Sequence, residues 1–151
     1  MTKFRNCGVK LCIEDIDKIQ KEFDVILPSD FTSHYLRCNG GTPDEEHFLM
    51  KEQGTYLWVE SFLSFKSSDD DLTIEETYAR LRDGGHLPDG FVPFANDVGN
   101  NIICLECSTG SIYVIYMDLG DPLKVDGAVR IIARSFATFV EGLTGLDEED
   151  I

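Results

Sequence analysis

No run in this chain approaches the roughly 18 consecutive apolar residues that a membrane-crossing helix needs, which excludes a transmembrane helix. The opening Met1-Thr2-Lys3-Phe4-Arg5-Asn6-Cys7 is faintly basic, but Glu14, Asp15 and Asp17 follow it in place of an apolar stretch, so no signal peptide is expected. Basic residues are scarce: 13 Lys and Arg stand against 28 Asp and Glu, a formal net charge of -15. A surface of that sign repels a phosphate backbone and an anionic bilayer, so neither direct nucleic-acid binding nor membrane binding is expected. Histidine is limited to His34, His47 and His86, which are scattered and form no H-x-x-x-H pair. The signatures G-x-x-x-x-G-K-[ST], G-x-G-x-x-G and G-x-S-x-G are all missing, so phosphate loops, dinucleotide folds and nucleophile-elbow hydrolases have no support. No enzymatic activity, metal or cofactor is expected.

What is present is an ordinary globular composition. The 151 residues are 42% hydrophobic with a mean hydropathy of -0.13, which fits one domain over 1–151 with a core at about 13–143 and an acidic tail at 147–151. The negative charge is spread evenly. Residues 1–75 carry eight basic and fifteen acidic side chains, and residues 76–151 carry five and thirteen. Five cysteines, Cys7, Cys12, Cys38, Cys104 and Cys107, make an odd count that argues for reduced thiols and a cytoplasmic location.

Periodicity organises the chain. Ile13, Ile16, Ile19 and Phe23 share one helical face, and Leu27-Pro28 ends that unit because the residue before proline is pushed out of the α region. Ser29 or Asp30 then caps a second helix that buries Phe31, Tyr35 and Cys38 and stops at Asn39-Gly40-Gly41. Thr42-Pro43-Asp44-Glu45-Glu46 reads as an exposed loop, and Tyr56–Val59 and Phe62–Phe65 read as strands. Thr73 and Glu76 fit a capping box for a helix carrying Ile74, Tyr78 and Leu81 and ending at Gly84-Gly85. Phe91–Ala95 is strand-like, with Pro93 confining it to an edge or a strand end. Hairpin turns at Gly99–Asn101 and Ser108–Gly110 lead into Ile102–Leu105 and Ser111–Met117, and Val129–Ala133 is a last strand. Ser135 caps a final helix bearing Phe136, Phe139, Val140 and Leu143. Helices at both ends of a run of close strands, an N-terminal helical hairpin and a C-terminal helix, predict an α+β fold with an antiparallel core.

Cys104-Leu105-Glu106-Cys107 is a C-x-x-C without the second pair that zinc needs or the βα context of a redox motif. In a strand its two thiols point to opposite faces. Asp97-Val98-Gly99-Asn100-Asn101 lacks the alternating acids and closing Glu of a calcium loop and reads as a tight turn. The acidic runs Asp44-Glu45-Glu46, Asp69-Asp70-Asp71 and Asp147-Glu148-Glu149-Asp150 are the remaining feature. Each alone is a solvated face; together they make a field that attracts a basic partner.

Three segments carry a family resemblance. Phe23–Phe31 running to Asn39-Gly40-Gly41 resembles a signature of helix, L-P-x-[DE]-[FY], helix and N-G-G. Leu87–Asp97 followed by Ile102–Leu105 resembles a central "pFA.D" strand, turn and strand, built on Pro93, Phe94, Ala95 and Asp97. Ala133–Val140 resembles a closing "iA.SF..Fl" strand and helix. In this order the motifs resemble the SUKH superfamily, which includes a fungal cell-wall-assembly regulator and many bacterial toxin-immunity proteins. Glu106-Cys107 stands where the family often has Asp, and the glycine-rich turn is reduced to Gly99-Asn100-Asn101.

The resemblance implies a single α+β domain with a curved, mainly antiparallel sheet, the N-terminal helical hairpin and the C-terminal helix packed on it, and a non-enzymatic binding role. In bacteria that role is neutralising a cognate toxin, often a nuclease; the alternative is a regulatory scaffold of the fungal type. A nuclease presents a basic groove, which an acidic protein can occupy. The candidate partner-binding residues are Asp44, Glu45, Glu46, Asp69, Asp70 and Asp71. The motif residues Leu27, Pro28, Asn39, Gly40, Gly41, Pro93, Phe94, Ala95, Asp97, Ser135 and Phe136 are expected to hold the fold.

Overall fold

Two helices come first. In the computed structural model, which describes residues 2–66 and 72–146, α1 (Ile13–Phe23) and α2 (Ser29–Arg37) form the expected hairpin. Ile16, Ile19 and Phe23 are buried, but Ile13, the first residue of the helix, is 67% exposed and does not join the face expected of it. Pro28, with its fixed φ, stands at the N-cap of α2, so neither Ser29 nor Asp30 caps that helix as expected.

The sheet follows in meander order. Strands β3 (His47–Met50), β4 (Thr55–Phe62), β5 (Phe91–Asp97), β6 (Ile102–Glu106), β7 (Ile112–Ile115) and β8 (Val129–Ala133) form one six-stranded, strongly curved antiparallel sheet in chain order. A small pair, β1 (Phe4–Arg5) with β2 (Thr42–Pro43), sits beside it. The fold is α+β, as the residue pattern predicts.

Helices lie on both faces of the sheet. On one face α1, α2 and α4 (Phe136–Glu141) enclose the larger core. Three motifs far apart in sequence meet there: the rings of Phe31 and Phe136 are 5.0 Å apart, Phe94 and Phe136 5.3 Å, and Phe31 and Phe94 5.9 Å, mostly edge to face. On the other face α3 (Ile74–Asp83) packs over β5–β7, where Leu81, Phe91, Ile102, Cys104 and Ile115 form a second cluster, while its first residue, Ile74, belongs to the larger core. Thr73 and Ser135 are the N-caps of α3 and α4, accepting from the N–H groups of Glu76 and Thr138 at 3.0 Å each.

Three expectations are corrected by the sheet. Pro93 lies in an interior strand and not at an edge; the register shifts between Pro93 and Ala95, and that irregularity takes up the missing N–H. Phe62–Phe65 is not a strand of its own: Phe62 is the last residue of β4, and Leu63–Phe65 lies outside it. Thr42-Pro43 is strand β2 with Pro43 buried, not part of an exposed loop.

Two of the five cysteines are not reduced thiols. Cys7 and Cys38 are joined in a disulfide that ties the N-terminal segment to the end of α2. The cysteine count therefore does not argue for a reducing compartment at this pair. The same junction is fixed by Asn39, which is buried: its Nδ2 donates to Val9 O and Phe65 O at 2.8 Å each, and its Oδ1 accepts from Phe65 N–H at 2.8 Å. Gly40 and Gly41 follow at φ +81° and +93°, and a Cβ on Gly41 would lie 2.5 Å from Arg5 O. Both the left-handed backbone and the close approach require glycine.

Candidate protein-binding surface

Alternation along β3 and β4 sorts side chains cleanly between core and solvent. Phe48, Met50, Leu57 and Val59 point into the core. His47, Leu49, Tyr56 and Trp58 point the other way, and the register pairs His47 with Trp58 and Leu49 with Tyr56, so the four make one patch. Trp58 is 49% exposed, and its ring lies 5.4 Å from His47. Val98, on the turn after β5, extends the patch, its N–H donating to Trp58 O. Because α3 packs over β5–β7, the patch has no helix over it among the described residues.

Carboxylates border the patch, and neighbours hold two of them in place. Trp58 Nε1 donates to Glu46 Oε2 at 2.8 Å. Asn96 Nδ2 donates to Glu60 Oε2 at 2.9 Å, and Asn96 Oδ1 in turn accepts from Ser61 Oγ at 3.0 Å. Between Asp44 and Glu60 five acids stand against one base, Lys51.

Beside the patch, where α3 begins to cover the sheet, a cleft of about 1010 Å³ opens. Its walls include Asn6–Val9, Glu60, Ser61, Asn96 and, from α3, Thr77 and Arg80. Thr77 is 2% exposed, and its Oγ1 has no hydrogen-bond partner among the described residues.

The candidate acids fare differently from one another. Asp44 is paired with Arg5 at 2.7 Å, and Glu46 is 3.9 Å from the same guanidinium while holding the indole. Glu45 is exposed, its N–H donating to Thr2 Oγ1 at 2.9 Å. The 44–46 run is therefore partly satisfied and adjoins the aromatic patch. Asp69, Asp70 and Asp71, like the acidic tail at 147–151, lie outside the described residues.

The motif residues occupy structural positions. Leu27, Phe94, Ala95 and Phe136 are core. Asp97 closes the β5–β6 turn: its Oδ1 accepts from Gly99 N–H at 2.9 Å and Asn101 N–H at 2.8 Å. Glu106 does equivalent work in the β6–β7 turn, accepting from the N–H groups of Ser108 and Thr109. The two thiols of the C-x-x-C diverge, Cys104 into the cluster under α3 and Cys107 against the larger core. Burial pushes the Cys104 thiol well up and the Cys107 thiol up to about 12, so neither supplies a thiolate near neutral pH. Among the described residues no three His, Cys, Asp or Glu side chains come together in a group able to hold a metal ion.

The aromatic patch escaped the sequence reading, which placed its weight on charge runs. The signal was there in Leu49, Tyr56 and Trp58: apolar residues at alternate positions whose neighbours, Phe48, Met50, Leu57 and Val59, are apolar too. A strand apolar on both faces is usually covered on both, and among the described residues β3–β4 is covered on one.

No curated protein matches the chain. Residues 11–142, containing all three motif segments, match the model of the SMI1 / KNR4 family (SUKH-1), and the chain belongs to that family.

Proposed function

We propose that this chain is an immunity protein: a non-enzymatic domain that neutralises a cognate toxin by stoichiometric binding, the toxin being a nuclease with a basic substrate groove. The observation that carries the reading is the net charge of -15, spread over both halves of a family member whose relatives serve as binding proteins. Such a field accelerates encounter with a positively charged surface and lets the domain compete with nucleic acid for it. Asp44, Glu45 and Glu46 contribute on the side of the aromatic patch, and Asp69, Asp70 and Asp71 add charge from the 67–71 segment. A nuclease acts where nucleic acid is, which places the neutralising complex in the cytoplasm.

The test is titration against the nuclease domain of a toxin encoded next to this chain's gene. The expected result is a one-to-one complex, loss of nuclease activity at equivalence, and an association rate that falls as salt shortens the Debye length from its value of about 10 Å at 0.1 M. A nuclease that keeps full activity in the presence of excess chain overturns the reading.

A further inference from the structure

The apolar patch and its acids together describe a partner. Trp58 offers an open indole face in the middle of the patch, with Leu49 and Tyr56 beside it. Glu46 touches the indole edge, and Glu60 is the next outward residue on the strand; each carboxylate is oriented by a neutral donor, Glu46 shares the Arg5 guanidinium with Asp44 at 3.9 Å, and Glu60 has no ion pair among the described residues. An aromatic face with fixed carboxylates next to it suits a guanidinium or ammonium group, which gains from the ring quadrupole and from the charges at once. The flanking Leu49 and Tyr56 require apolar surface around that cation. The adjoining cleft adds an independent sign of an occupant: in its wall the buried Thr77 Oγ1 is a polar atom without a partner among the described residues.

We propose that the outward face of β3 and β4, centred on Trp58, is the docking surface for the basic protein partner. A Lys or Arg side chain of that partner lies on the indole beside Glu46 and Glu60, and the adjoining chain of the partner enters the cleft toward Thr77. This rests on the reading of the partner as a basic protein and adds where it binds and what it presents. Electrostatics brings the partner in; the aromatic anchors hold it.

Trp58 is the single tryptophan of the chain, so its fluorescence reports on this surface directly. The probe is a synthetic peptide of alternating arginine and valine, with a glutamate-valine peptide as control. The arginine peptide is expected to change Trp58 emission saturably and to shield it from acrylamide; the control peptide is expected to do neither. Glu46→Gln with Glu60→Gln should weaken that binding about tenfold, whereas Asp17→Asn with Glu22→Gln, which removes the same charge from α1, should change it less than twofold. Equal weakening by the two pairs of substitutions, or no shielding of Trp58, overturns the proposal. The toxin complex separates the two readings. Neutralisation with Trp58 still open to acrylamide leaves the immunity reading standing and refutes this surface. Shielding by the peptide with no toxin neutralised does the reverse.

Discussion

Asp30 Oδ2 accepts a hydrogen bond from the backbone N–H of Ala137 at 3.0 Å, across 107 residues of sequence. Ala137 is the second residue of α4, so the acid of the L-P-x-[DE] motif caps the helix of the S-F-x-x-F motif. Ser135 takes the next N–H, that of Thr138. Two motifs that look independent in sequence thus share one helix end. Ser135→Ala and Asp30→Ala are each expected to cost about 1 kcal/mol in chemical denaturation. The double variant should depart from additivity, since both caps serve one terminus. A denaturation midpoint left unmoved by either single substitution contradicts the assignment.

Asn39 should be among the least replaceable residues of the fold. Its amide satisfies backbone groups of Val9 and Phe65 in a buried site, and truncation strands all of them. Asn39→Ala is expected to cost about 3–4 kcal/mol, read from urea unfolding. Asn39→Asp should cost at least as much, because Nδ2 donates two of the three bonds and a carboxylate cannot donate.

His34 gives the fold a pH limit. Burial first, and the Arg37 charge second, lower its pKa from 6.5 to about 4. Its ring packs 4.6 Å from Phe4 and 5.2 Å from Phe136, and its Nε2 has no partner among the described residues. The unfolded chain binds this proton at higher pH than the folded chain, so the contribution is complete above about pH 6.5 and is lost as pH falls toward 4. The loss is expected to be about 2–3 kcal/mol over that window. His34→Leu should flatten the slope there; a wild-type slope retained in the variant assigns it to other groups.

The Cys7–Cys38 bond closes 31 residues of chain. Reduction is expected to lower stability by about 3–4 kcal/mol through the freed unfolded state. Thermal melts with and without a reductant measure this, with Cys7→Ser/Cys38→Ser as the control that should ignore the reductant. Identical melts of the native chain in both conditions would mean that the bond does not form.

Helices and turns were largely legible in the residues, because their signals are local. Thr73, Ser135, the glycines after α2 and the Asp97 turn each act within four residues of themselves, and each does what its chemistry predicts. What escaped depends on distant chain. Strand β1 has two residues and exists only because β2 lies beside it. Pro93 breaks the edge rule because a register shift, invisible in sequence, absorbs its missing donor. Cysteine parity could not foresee that the Gly8–Asn39 backbone bond, 2.8 Å long, brings Cys7 to Cys38. The apolar patch on β3 and β4 was hidden for the same reason: which part of the sheet α3 packs over is a matter of topology, not of periodicity.

One short contact at the sheet's edge bears on solubility. His47 exchanges both backbone hydrogen bonds with Thr144, at 3.0 and 2.8 Å, so the residues after α4 close the first rung of the outermost strand. An unclosed rung is a template on which any extended peptide can polymerise. A chain cut back before Thr144 would keep its core and still present that template beside an apolar patch, and it should form filaments or precipitate at concentrations where the longer chain stays dispersed.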